Sequence, residues 1–288
     1  MNSYIFINEQ TKITNSLFEN IKKHSMKNLS ETKIAFIIVF LSIISAFFIG
    51  GIVTWLGMSY AESYQKTITF ISFIIGQSLM VVPLIVYLKF KKLPFFHSVR
   101  LKILKYNTIK PIILFSIGLI VLSDEVDRII QLFFPTPEYV LNLNYLLKPD
   151  SFLGAILLFI AVVILAPLGE EIIFRGFLQQ ILEKHWKDIT QAILFTALIF
   201  SLIHMNPYWF VQIYFLGLIL GFLAWKTKTI IAPLILHSLN NFMALLLSSL
   251  DLQQNNLYIW NGHVAPWILI LACFGVFFGF KQINQTSI

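Results

Sequence analysis

Pro167-Leu168-Gly169-Glu170-Glu171-Ile172-Ile173-Phe174-Arg175-Gly176 lies inside an apolar run from Phe152 to Leu182, and its adjacent carboxylates decide how the chain is read. As a helix that run would measure about 46 Å at 1.5 Å per residue. A hydrocarbon core of about 30 Å is crossed by ~20 residues, so such a helix spans a bilayer and projects beyond it. An ionised carboxylate in hydrocarbon costs roughly several kcal/mol, so neighbouring acids with an arginine at that depth mark a functional site by default.

The rest of the chain fits the same solvent. It is 57% hydrophobic and 12% charged, with a mean hydropathy of +0.78, against about 25% charged for a soluble globular domain. Seven further apolar runs cover Ile34 to Leu56, Ile68 to Leu88, Ile109 to Leu122, Ile189 to His204, Trp209 to Trp225, Ile230 to Leu250 and Val264 to Phe280. The expected fold is therefore an all-α polytopic membrane bundle of about eight transmembrane helices. The run from Ile109 meets Asp124, Glu125, Asp127 and Arg128, so it either stops there, which makes seven the alternative count, or continues as a partly polar helix shielded by its neighbours.

The expected organisation is a cytoplasmic tail over 1–33, transmembrane helices over 34–149, a catalytic core over 150–250 and a last loop and helix over 251–288. Leu17, Phe18 and Ile21 suit either an interfacial helix or a lysine-dotted tail. No cleavable signal peptide is legible in the first 33 residues, which leaves the first span as an uncleaved insertion signal.

The net charge of +7 is an orientation signal rather than a nucleic-acid footprint. Eighteen of the 21 basic residues fall in the alternate segments that share a side with the N-terminus, and only Lys66, Arg128 and Lys148 fall on the other. The positive-inside rule places both termini in the cytoplasm of a multi-pass cell-membrane protein, with membrane lipids as partners. Cys273, the single cysteine, excludes an intramolecular disulfide and a thiolate metal cluster.

Counting helix rise from that side puts Glu170 about 20 Å deep, His204 about 22 Å, and His237 and Asn241 roughly 11 to 17 Å. Three separated motifs thus reach similar depth. Glu171 and Arg175 are four apart on one helical face and read as an internal ion pair; Glu170, turned about 100° away, is left without that partner. Met205-Asn206-Pro207 ends the helix directly after His204, placing its ring beside irregular backbone. Each polar pair alone would read as ordinary interhelical hydrogen bonding. Together they supply a carboxylate that can deprotonate water, imidazoles that can move protons or bind a metal, and an amide that can donate to an oxyanion, which is an inventory for amide hydrolysis. A water held by zinc on Glu170, His204 and His237 and a water held directly by Glu170 and His204 both remain open at this point.

Glu170-Glu171-x-x-x-Arg175, Phe200-x-x-x-His204 and His237-x-x-x-Asn241, in that order, resemble the motif pattern of the CPBP intramembrane proteases, which include type II CAAX prenyl proteases and bacteriocin-processing or immunity proteins of the Abi group. Pro167, Phe174, Gly176, Gly217, Gly221, Lys228, Ala232 and Pro233 agree with it, and it covers roughly residues 150 to 250. The resemblance implies an intramembrane endopeptidase with catalytic residues Glu170, Glu171, His204, His237 and Asn241, Glu170 and His204 activating water and Arg175 as structural partner. It implies a membrane-embedded or prenylated peptide substrate, and a Zn2+ cofactor in one description of the family and none in another. Two other classes compete. A proton-coupled transporter would use the same acids and histidines as a relay, but the chain shows no inverted repeat; a non-catalytic immunity protein would not need the full set.

Overall fold

The computed structural model describes residues 31–57, 62–249 and 257–285. The tail ahead of Glu31, with Leu17, Phe18 and Ile21, and the loop from Asp251 to Asn256 lie outside them.

The described chain forms helices α1 (Glu31–Gly57), α2 (Glu62–Met80), α3 (Val82–Phe90), α4 (Phe95–Ser98), α5 (Tyr106–Phe133), α6 (Glu138–Leu146), α7 (Phe152–Trp186), α8 (Ile189–Ile203), α9 (Phe210–Thr227), α10 (Ile231–Ser249) and α11 (Pro266–Gln285). A two-residue hairpin, Ile259–Trp260 paired antiparallel with His263–Val264, precedes α11. The architecture is an all-α membrane bundle. Five segments are long and apolar enough to cross a bilayer: α1, Gln65–Phe90 within α2 and α3, α7, α9 and α11; α8 and most of α10 are shorter apolar helices. Each of the eight apolar runs is helical over most of its described length.

The sequence left the third run with two readings, and the structure takes the longer one. α5 continues through the acidic stretch for 28 residues to Phe133. Its charges are matched locally: Arg128 pairs with Asp124 at 3.1 Å, Tyr258 donates to Asp124 at 2.9 Å, His263 meets Glu125 at 2.8 Å, and Gln212 donates to Asp127 at 2.6 Å. The 257–264 hairpin thus caps the acidic end of α5. Burial and the neighbouring Asp124 carboxylate raise the Tyr258 phenol well above its ordinary value, so it stays a donor.

α7 is a continuous helix of 35 residues, about 52 Å long, and it is not uniform. Its hydrogen bonding widens to π geometry over Ile160–Leu165, tightens to α over Ala166–Glu171, and widens again over Ile172–Leu178. Pro167 explains the first change. It has no N–H for an i→i−4 bond, and the wide turn before it, where Ala166 N donates to Ala161 O, absorbs the loss without breaking the helix. The two glutamates occupy the narrow segment between wide turns.

The ends of the bundle separate by charge. At one end Glu31 meets His185 at 2.9 Å, Arg100 pairs with Glu183, Thr229 donates to the Lys102 carbonyl, and Lys226 reaches the Asn284 carbonyl. At the other lie the α5 acids, the hairpin, and Lys66 on the Lys148 carbonyl at 3.0 Å. Phe48, Phe159 and Phe274 are among the large apolar side chains left on the perimeter, as a lipid-facing surface requires. Gly176 marks the tightest packing on α7: a Cβ there would lie 2.5 Å from the Val99 carbonyl oxygen, so only glycine lets the Val99–Arg100 backbone lie against this helix.

Candidate active site

Three helices, α7, α9 and α10, meet at Glu171. Its Oε1 accepts from Arg175 Nη1 at 3.0 Å and from His237 Nδ1 at 2.8 Å, and the side chains of Glu171 and Arg175 are both fully buried. Arg175 also donates from Nη2 to the Gly217 carbonyl on α9 at 3.2 Å and lies over the Phe200 ring at 4.1 Å. The expected ion pair is therefore present, but it is one corner of a network. A carboxylate accepting both bonds, with the guanidinium stacked on an aromatic face, is how two opposite charges are held in low dielectric.

One helical turn further along, Gln179 repeats the device. Its Nε2 donates to the Gly221 carbonyl at 2.9 Å and to Glu183 at 2.8 Å, and its side chain is buried. A Cβ at Gly217 would lie 3.1 Å from Ala197 Cβ, and one at Gly221 would lie 2.9 Å from Ile193 Cγ2 and 3.0 Å from Gln179 Oε1, so close packing of α9 against α8 and Gln179 accounts for the glycines the sequence marked as accessory. Gln179 itself was missed, because a lone glutamine near the end of a span carries no spacing signal.

Glu170 stands apart from this network. It is 8% exposed, its Oε2 is buried with no hydrogen-bond partner among the described residues, and that atom lies 3.8 Å from His237 Nε2. Because a carboxylate only accepts here, His237 donates from Nδ1 to Glu171 and turns Nε2 toward Glu170. The separation exceeds a hydrogen bond but suits one water contacting both atoms. A fixed imidazole nitrogen facing a buried, unpaired carboxylate is the chemically poised element of the molecule.

His204 ends α8, where Met205 adopts a left-handed φ of 48° and Asn206 Oδ1 accepts from the backbone of Tyr208 and Trp209. Its Nδ1 donates to the Phe200 carbonyl at 2.7 Å, leaving Nε2 free of that bond. Phe200 connects the histidines, with ring centroids 4.8 Å from His204 and 5.7 Å from His237. His204 is exposed while His237 is 3% exposed, so the motif has a buried and an accessible histidine. Asn241, one turn beyond His237, donates from Nδ2 to the Val162 carbonyl at 3.0 Å in the first wide turn of α7; the second N–H of that amide is available to another acceptor.

Among the described residues no three His, Cys, Asp or Glu side chains are gathered for a metal. Glu170 Oε2 and His237 Nε2 are near neighbours, but no third such donor joins them. The set does not fit a three-ligand zinc site as arranged. An apolar groove of about 610 Å³, lined by Phe115, Leu122, Phe222 and Phe277 among others, holds none of the candidate residues.

Compared with known families, residues 152–243 match the model described as Type II CAAX prenyl endopeptidase Rce1-like. No curated protein and no solved structure matches the chain.

Proposed function

We propose, from the membership of residues 152–243 in the Rce1-like type II CAAX prenyl endopeptidase family, that this membrane protease hydrolyses its peptide bond with a water activated by Glu170. The observation that carries the assignment is the buried Oε2 of Glu170, unpartnered and 3.8 Å from His237 Nε2.

In this reading Glu170 accepts a proton from the water as its oxygen attacks the scissile carbonyl carbon. The carbonyl π bond becomes an oxyanion, and Glu170 then passes the proton to the departing amide nitrogen as the C–N bond breaks. His204, reached from the accessible side through its free Nε2, helps to hold the water. The second N–H of Asn241 stabilises the oxyanion, and His237 Nε2, the acceptor nitrogen of the tautomer that Glu171 fixes, helps to hold the water. Glu171 acts through His237: by accepting from Nδ1 it fixes the ring's tautomer and direction, while Arg175 and Phe200 keep Glu171 in place.

The substrate is a membrane-associated or lipid-tethered peptide, because Glu170 and His237 are buried between apolar helices. Both termini face the cytoplasm, following the basic excess at the Glu31–His185 end. The test is turnover of fluorogenic peptides, with and without a prenyl chain, by purified protein and its Glu170→Gln variant. Turnover that requires the lipid chain and is lost in the variant supports the reading; equal turnover by both proteins removes it.

A further inference from the structure

We infer that a file of internal water runs along one face of α7, from the Arg100–Glu183 pair at the basic end of the bundle to the Glu171–His237 pair at its centre. Glu171, Arg175, Gln179 and Glu183 are spaced by four, and their contacts keep them in one line. Arg175 donates to Glu171 at 3.0 Å, Gln179 donates to Glu183 at 2.8 Å, and Arg175 and Gln179 each donate to a glycine carbonyl of α9. At 1.5 Å per residue this is a polar stripe about 18 Å long inside an apolar bundle. Intramembrane polar residues of that kind face one another or a watered space.

Three members of the stripe have hydrogen-bonding capacity that the protein leaves unused. Glu171 accepts twice at Oε1, while its buried Oε2 has no partner among the described residues. Arg175 engages both terminal nitrogens, and its buried Nε has none. Gln179 engages its amide nitrogen twice, and its buried Oε1 has none. Such atoms are not scattered: of seven among the described residues, four belong to Glu170, Glu171, Arg175 and Gln179.

Along the stripe they alternate as acceptor, donor and acceptor. Successive members are about 6 Å apart in helix rise, which is roughly two hydrogen bonds through one oxygen. A water accepting from Arg175 Nε can donate to Glu171 Oε2 and to Gln179 Oε1, the roughly three partners of an ordinary buried water. The turns over Ile172–Leu178, which carry Arg175, have the wide π geometry that recurs at functional sites. One end of the stripe reaches solvent: the side chains of Arg100 and Glu183 are 10% and 9% exposed, those of Arg175 and Glu171 0%. Hydrolysis consumes a water for each bond cut. That the file replenishes this water rests on the proposed function; its occupancy does not.

The experiment is X-ray radiolytic footprinting of the full-length protein in dodecyl maltoside, in which a bound water ionised in place oxidises the side chains beside it. The readout is Phe200, 0% exposed and 4.1 Å from the Arg175 guanidinium; Phe70 on α2, also 0% exposed, is the dry control. Phe200 should be oxidised well above Phe70, and Gln179→Met, which removes the polar link between Arg175 and Glu183, should abolish the difference. A Gln179 that only braces α9 would lower the melting temperature and leave Phe200 oxidation unchanged. If Gln179→Met does not accumulate, Gly221→Ala takes its place, since the added methyl would lie 3.0 Å from Gln179 Oε1 and otherwise meets the Ile193 side chain. Phe200 as unreactive as Phe70 overturns the water file. Equal oxidation of Phe200 in the wild type and the folded variant means that water arrives from the His204 side, and overturns the route from the basic end. Oxidation that is lost in the variant, in a protein whose wild type cleaves no peptide, supports the file and counts against the protease reading alone.

Discussion

His237 donates from Nδ1 to Glu171 Oε1 across 2.8 Å, tying α10 to α7 and leaving the opposite ring nitrogen directed at Glu170. Two adjacent residues of one type thereby acquire different environments. Glu171 Oε1 accepts from both Arg175 and His237; among the described residues the Oε2 atoms of Glu170 and Glu171 are both buried without a hydrogen-bond partner, and it is that of Glu170 which lies 3.8 Å from His237 Nε2.

Glu170→Gln keeps the shape and removes the proton acceptor. Turnover of a lipidated reporter peptide should fall by about 10²–10⁴-fold, the usual share of a general base, while the amount of protein in the membrane stays the same. Wild-type turnover would sink the assignment.

Arg175→Ala should act on stability instead. It leaves Glu171 buried beside an unfilled space, a loss of about 3–5 kcal/mol for breaking a buried pair, seen as lower membrane accumulation and a lower melting temperature in detergent. Replacing both charges, Glu171→Leu/Arg175→Met, should recover much of that stability. It should not recover turnover, because His237 then loses the carboxylate that orients it. Recovery of both would reduce Glu171 to an ion-pair partner.

Gly176→Ala puts a methyl group where the Val99 carbonyl oxygen lies 2.5 Å away, and backbone cannot rotate aside. The Val99–Arg100 segment must move, loosening the Arg100–Glu183 pair, so the melting temperature should drop clearly. Gly51→Ala, with nothing within 4 Å of the added carbon, should be neutral or stabilising by up to about 1 kcal/mol. Similar melting temperatures for the two variants would contradict the packing described at Gly176.

Metal removal has a definite expected outcome. Purified protein dialysed against a strong chelator should retain turnover, and metal analysis of the active sample should give less than one zinc per chain, since among the described residues no three His, Cys, Asp or Glu side chains are gathered for an ion. Loss of activity restored by stoichiometric zinc would show that His204 joins Glu170 and His237 on binding.

Orientation is testable by thiol labelling. With Cys273 replaced by Ala, a single cysteine at Trp260, in the hairpin and 52% exposed, should react with an impermeant reagent on intact cells. One at Lys92 should react only after lysis. The reverse pattern would invert the topology.

Much of this architecture is legible without coordinates because its causes are local. Apolar length dictates each span, Pro167 and the Met205-Asn206-Pro207 run act on their own helix, and the Glu171–Arg175 pair follows from four-residue spacing. The continuation of α5 through Asp124, Glu125 and Asp127 was not decided locally, because it depends on Tyr258, His263 and Gln212 arriving from elsewhere in the chain.

The sequence by itself determined that two carboxylates, two histidines and an amide lie on three apolar helical segments, and helix rise with charge asymmetry leads to the expectation that they share a similar depth. Only the tertiary structure decided which carboxylate takes His237, a contact across 66 residues, and that Arg175 is completed by a glycine carbonyl of α9. It also decided that Asn241 reaches Val162. The reason is physical: a helix fixes which of its own residues share a face, but the rotation of one helix against another is set by the packing between them, and that packing brings their polar groups into hydrogen-bond range.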